Sequence, residues 1–136
     1  MMDGAMVSGI DLTSLHEAFE GSEDVLEQML GLFLVQAAER MAQLDAHLAA
    51  WDVMAARAVL HSLINISGAV RAYAMSDLTK SVGDAVKRED RSQALAAARA
   101  LGREAETVLA QARVLVQAAK AGPAAIWSAA LPGLGG

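Results

Sequence analysis

Apolar residues recur at every third or fourth position through most of this chain, and the places where that rhythm breaks divide it into helices. Leu15 and Phe19 stand one turn apart after Asp11, whose carboxylate suits a helix N-terminus, so the pattern predicts a short helix over 12–19 that Gly21 ends. Ser22 followed by Glu23 and Asp24 predicts a second start, because a hydroxyl and acids meet the unpaired amides and the positive end of a helix. From there Leu26, Leu30, Phe33, Ala37, Met41, Leu44 and Leu48 form one stripe to about residue 50. Asp52 caps the next segment, 54–70, whose buried set is Ala56, Val59, Leu63, Ile66 and Val70. A turn over 71–74 follows, and a helix beginning at Ser76 or just before it carries Met75, Leu78, Val82 and Val86. The charged run KREDR, 87–91, breaks the stripe as a solvated turn. Asp90 with Gln93 behind it predicts a capping box. The last long helix then carries Ala94, Ala98, Leu101, Ala105, Val108, Ala112, Leu115 and Ala119, and Gly122 and Pro123 stop it.

Four long segments joined by short turns, each with one stripe to bury, predict an all-α fold: an antiparallel up-and-down four-helix bundle with a short N-terminal helix closing one end. A dimer of helical hairpins is the alternative. The expected domain spans 11–120, after a flexible N-terminus over 1–10 and before a tail over 121–136 that is a short helix around Trp127 or disordered. A chain of 136 residues supports one core and is short for two.

Composition narrows the function classes. Two prolines and one tyrosine in a chain rich in alanine and leucine favour helix over strand. The absence of cysteine removes disulfides, thiolate metal sites and a cysteine nucleophile. A net charge of -5 without a basic cluster argues against nucleic acid as a partner. The first residues carry neither a basic start nor a long apolar run, and no segment is apolar enough to span a bilayer, so a cytoplasmic protein without membrane contact is expected. With 54% hydrophobic residues, some apolar surface remains for a partner or for weak self-association.

The candidate chemistry lies in LHSLINISG, 60–68, where His61 interrupts an apolar helix. At about 100° per residue, Arg57, Ala58, Ile64, Asn65 and Gly68 share its face, while Val59, Leu63, Ile66 and Val70 lie on the other side. The helix therefore buries its stripe without His61, and the small residues Ala58 and Gly68 leave the imidazole reachable. A dinuclear carboxylate site needs Glu-x-x-His pairs on facing helices. Thr13, Leu44 and Ala58 occupy the positions three before His16, His47 and His61, so no metal site is expected. Ser62 and Ser67 lack the strand-turn-helix elbow of a serine nucleophile.

On these residues the chain, from Asp11 to Ala119, resembles the histidine-containing phosphotransfer (HPt) domain family. The long helix ending FLVQAAERMAQLDAHLAAWD precedes a His-Ser-Leu triplet, His61 to Leu63, and Met75, Leu78 and Val82 keep the hydrophobic register after it. The departures are Ile64 where the family has lysine, Asn65 where it has glycine, and Arg71 in place of a later glycine. The resemblance implies that His61 accepts a phosphoryl group from a receiver-domain phosphoaspartate and passes it to another receiver. Arg57, Ala58, Ile64, Asn65, Gly68 and Arg71 would then form the phosphoryl and partner face. The partners implied are a response-regulator receiver domain, a histidine kinase, or both. The chain would be a phosphocarrier with no cofactor of its own, and the divalent metal would sit on the receiver. A degenerate HPt-like domain that docks without carrying phosphate, and a plain helical adaptor, are the other readings.

Overall fold

The computed structural model describes residues 7–131, and these form six helices. They are α1 (Leu12–Phe19), α2 (Glu23–Ala49), α3 (Val53–Ala69), α4 (Tyr73–Lys87), α5 (Arg91–Ala119) and α6 (Ala125–Ala130). The long helices α2 to α5 make an antiparallel bundle in which α3 packs on α2 and α4, and α5 on α4 and α2. The fold is the expected all-α bundle with a short N-terminal helix.

Capping chemistry sets most of the boundaries. Asp11, Asp52 and Asp90 each accept a hydrogen bond from the amide three residues on, those of Ser14 (3.0 Å), Ala55 (3.2 Å) and Gln93 (3.0 Å). Ser22 stands at the N-cap of α2, but its hydroxyl makes no capping bond; the Glu23 carboxylate reaches back to the Gly21 amide instead, at 2.8 Å. Helix α4 starts at Tyr73, ahead of Ser76, which is buried within it.

That early start follows from how the helices end. Trp51, Arg71 and Glu89 have φ of 53°, 64° and 57°. The residue after each donates to a carbonyl five positions back: Asp52 to His47 (2.8 Å), Ala72 to Ser67 (2.9 Å) and Asp90 to Ala85 (2.9 Å). These are Schellman closures, and each runs straight into the next helix. The left-handed conformation costs a side-chain-bearing residue about 1–2 kcal/mol. At two of the turns a cation–π contact offsets part of it, with Arg91 5.7 Å from the Trp51 ring centroid and Arg71 5.7 Å from that of Phe19.

The core contains Leu30, Phe33, Leu44, Val59, Leu63, Val82, Leu101, Val108 and Leu115, while Met41, Ile66 and Leu78 are only partly buried against it. On α3 the buried face is wider than the sequence stripe. Leu60 and Ser67 are buried too, with the Ser67 hydroxyl donating to the Leu63 carbonyl at 2.7 Å, because α3 is covered on two sides.

Both ends of the described stretch, 7–131, are fastened to the bundle. Ser8 and Gly9, within the stretch expected to be flexible, donate to the Glu104 carboxylate, and the Ile10 amide donates to Gln111 Oε1 at 2.7 Å. Gly9 has φ +85°, and a Cβ there would collide with that Gln111 oxygen, so the clamp needs glycine. At the other end α6 buries Ile126 and Trp127. Residues 1–6 and 132–136, the outer parts of the expected flexible start and tail, lie outside the described residues. Among the described residues no helix is long and apolar enough to cross a membrane.

Candidate functional site

Helix α3 presents two unlike faces. Leu63 and Val70 are fully buried, whereas His61, Arg57, Ala58 and Asn65 are exposed. Among the described residues the His61 imidazole has no hydrogen-bond or ion-pair partner. It borders an open depression of about 560 Å³ lined by Val53, Met54, Arg57, Ala58 and His61 itself. Met54, 84% exposed, is the apolar wall of this hollow. A helix brings residues four and seven apart onto one side, so Met54, Arg57 and His61 converge there by spacing alone. An uncommitted imidazole, a guanidinium and an apolar contact patch thus share one solvent-open surface. That set can bind an oxyanion or a protein and offers a nitrogen nucleophile.

The flanks of His61 differ. Ser62, one residue on and about 100° around the axis, faces α2, where its hydroxyl accepts from Arg40 Nε at 3.1 Å. Leu60, about 100° the other way, starts a row with Ile64 and Ser67 that turns from α2 toward α4. Ile64 is accordingly half-buried, which corrects its placement on the face of His61 away from the buried stripe: its side chain extends the buried row of Leu60 and Ser67. Gly68 is half-buried as well, yet a Cβ there would meet nothing within 4 Å, so no close neighbour requires glycine.

Arg71 stands apart from the cluster. It is ten residues on, about 15 Å along the axis and past the helix end. Its Nη1 donates to the Ala69 carbonyl at 2.8 Å and its guanidinium lies over Phe19. The structure therefore groups Arg57, Ala58 and Asn65 around His61, sets Ile64 and Gly68 at the margin, and leaves Arg71 with the α1 end. Two neighbours were missed from sequence. Met54 was legible from its spacing to His61; Arg40, which reaches Ser62 from another helix, carried no local signal.

The other histidine with a defined environment is His16. It lies 4.7 Å from the Trp127 ring centroid at an interplanar angle of 87°, and its Nε2 is 3.5 Å from Glu20 Oε2. Trp127 Nε1 donates to Glu23 Oε2 at 2.8 Å. That bond, with the amides of Gly21 and Glu23, holds the Glu23 carboxyl below its ordinary range. Here imidazole, indole and carboxylate are committed to one another. Among the described residues no three His, Asp or Glu side chains come together as a metal-ion site. A smaller hollow of about 250 Å³ between α1, α5 and α6 is lined by Leu12, Val114 and alanines, with Gln111 its polar side chain.

Comparison with family models, with curated proteins and with solved structures returns no match for this chain.

Proposed function

We propose that this chain is a histidine phosphotransfer protein that carries a phosphoryl group on His61 between receiver-domain aspartates of a two-component phosphorelay. The observation that carries the proposal is the exposed, unpartnered imidazole of His61 beside Arg57 in an open hollow on the bundle's outer surface. The resemblance around the His61-Ser62-Leu63 triplet supports it. A neutral imidazole carries an unshared electron pair on one ring nitrogen, which makes it a nucleophile.

In the transfer, the lone pair of the unprotonated ring nitrogen attacks the phosphorus of a receiver phosphoaspartate. The N–P bond forms as the P–O bond to the aspartate breaks, and the aspartate leaves as a carboxylate. The second ring nitrogen keeps its proton throughout. The reverse step, onto another receiver aspartate, returns His61 to its starting form. The receiver supplies the divalent metal and most of the charge stabilisation, and α3 supplies a rigid platform on which the in-line approach is set by positioning. Arg57 adds a cation to the same surface.

Met54 favours a second reading. An 84%-exposed methionine at the rim suits a protein contact, and a chain that only docks on a receiver or a kinase needs that contact and not the imidazole. Incubation with a phosphorylated receiver separates the two. Carrier function yields an acid-labile, base-stable label on the chain that His61→Gln abolishes while helicity and melting stay nearly unchanged. Absence of label on the unmodified chain across a panel of receivers, or undiminished label on the His61 variant, would refute it. Binding that survives His61→Gln and is lost on Met54→Asp, without any label, would establish the docking reading.

A further inference from the structure

Arg40 enters the neighbourhood of His61 from a different helix. Its side chain is 29% exposed, and its Nε–H is fixed on the Ser62 hydroxyl at 3.1 Å. A guanidinium has five N–H donors in one plane, and fixing the Nε edge fixes the direction of the rest. Nη1 lies 3.8 Å from Glu39 Oε1, on a side chain that is 61% exposed; this pair is solvent-screened. Among the described residues the Nη groups donate to no other acceptor. The four remaining N–H bonds form a half-buried, oriented donor edge without a structural acceptor to match it.

That edge stands on a particular flank. Ser62 turns from His61 toward α2, and Ala58 and Asn65 lie on the same side of the imidazole, whereas Arg57 and Ile64 lie on the other. Ala58 offers only a methyl there, so no bulky side chain on α3 separates His61 from the Arg40 flank on the N-terminal side of Ser62. Arg57, on its own helix, and Arg40, bound to Ser62 from α2, thus stand on opposite flanks of the His61 position. Ile64, where the resembled family has lysine, leaves α3 without a cation one turn after the histidine.

We propose that Arg40 is the phosphoryl-binding cation of the His61 site, its Nη edge holding the oxygens of a phosphoryl group on His61. The Ser62 hydroxyl accepts from Arg40 Nε and donates its own proton to the same oxygens. This rests on the reading that His61 carries the phosphoryl group. Arg40 undergoes no bond or proton change; it is a permanent cation whose contacts form only when the phosphoryl group is present. Its bond to Ser62 exists beforehand, so little side-chain freedom is lost when the anion arrives.

Phosphoramidate, a small N–P donor that loses ammonia on transfer, tests the assignment on the full chain without a protein partner. Three quantities are read for the unmodified chain, Arg40→Gln, Arg40→Lys, Ser62→Ala and His61→Gln: labelling rate, lifetime of the phosphohistidine, and the melting shift between labelled and unlabelled protein. Arg40→Gln should label about tenfold more slowly, as expected for the loss of one charge-assisted hydrogen bond, and should lose the melting increase that labelling gives the unmodified chain. Arg40→Lys, which keeps charge and fold, should recover part of both, and Ser62→Ala should reduce both less than Arg40→Gln. Unchanged labelling and lifetime in Arg40→Gln, with only a lower melting temperature of the unlabelled protein, would make Arg40 a clamp between α2 and α3 and overturn the proposal while leaving His61 as the carrier. Label that persists in His61→Gln would overturn the carrier reading itself, and with it the role given to Arg40.

Discussion

His61 and His16 are the same side chain in opposite circumstances. His16 is half-buried, edge-on to Trp127 and close to Glu20, at the end of the bundle where α1, α2 and α6 meet. His61 sits in the open on α3, beside Arg57 and Met54, without a partner among the described residues. At the first site the indole N–H is bonded to the Glu23 carboxylate and the imidazole packs against the indole and Glu20, so a ligand would have to break existing contacts to gain new ones. At the second nothing has to be broken. The rigid support lies behind it, in the buried Leu63 and Val59, and the imidazole is left to solvent. Commitment of polar groups to one another marks a structural site, and their lack of commitment on a rigid base marks one available to a partner.

The largest effect that could break this contrast is a swap of roles. His61→Ala should abolish phosphoryl labelling and leave the melting temperature nearly where it was, since an exposed side chain contributes little packing. His16→Ala should do the reverse: full labelling, with stability lower by about 1 kcal/mol as the edge-on contact with Trp127 is lost. Labelling measured beside thermal melts decides it. A destabilised His61 variant, or a His16 variant that labels poorly, would dissolve the distinction.

Much of the contrast was legible in the sequence, and what was not has physical reasons. The stripe on α3 placed Leu63 inside and His61 outside because the period of the helix decides that directly. The aspartate caps at Asp11, Asp52 and Asp90 were equally plain, each being a side chain that satisfies an amide three residues on. The early start of α4 was hidden, because its signal is a left-handed Arg71 and not a glycine. The half-burial of Ile64 and the reach of Arg40 to Ser62 were hidden for another reason. They depend on which neighbours flank α3 and at what height, and no spacing within one helix encodes that. The docking of Trp127 on Glu23 joins residues far apart in sequence and left no local trace.

A smaller effect sharpens the committed end of the comparison. Trp127 holds Glu23 below its ordinary value of 4.5, so the folded chain keeps the carboxylate ionised at lower pH than the unfolded chain does. The contribution of the bond is therefore complete above the ordinary range and is lost as pH falls through the lowered folded value. It is small, because water reaches the carboxylate. In a Trp51→Phe background, Trp127 emission should shift to the red on acidification as α6 loosens, and Glu23→Gln, which cannot titrate, should flatten that transition. The same acid transition in both proteins would mean that the Glu23 carboxylate does not hold α6. Labelling of His61 at neutral pH should be indifferent to Glu23→Gln, since the two regions share no contact.

Arg71 is the residue on which sequence and structure divide most sharply, and it carries the smallest expected effect. By resemblance it belonged to the phosphoryl face; in the fold it closes α3 with φ 64°, donates to the Ala69 carbonyl and covers Phe19. Arg71→Gly relieves a left-handed strain of about 1–2 kcal/mol. Against that stand the lost cation–π contact, worth about 0.5–1 kcal/mol, and the greater backbone freedom of glycine in the unfolded chain, of similar size. The terms nearly cancel, so stability should move by less than about 1 kcal/mol in either direction. The rate of labelling from phosphoramidate should not move at all, because Arg71 stands about 15 Å along the axis from His61 and its guanidinium is held at the Ala69 carbonyl and over Phe19. A clear slowing of transfer with melting unchanged would return Arg71 to the phosphoryl face and show that its contact with Phe19 is given up when the phosphoryl group arrives.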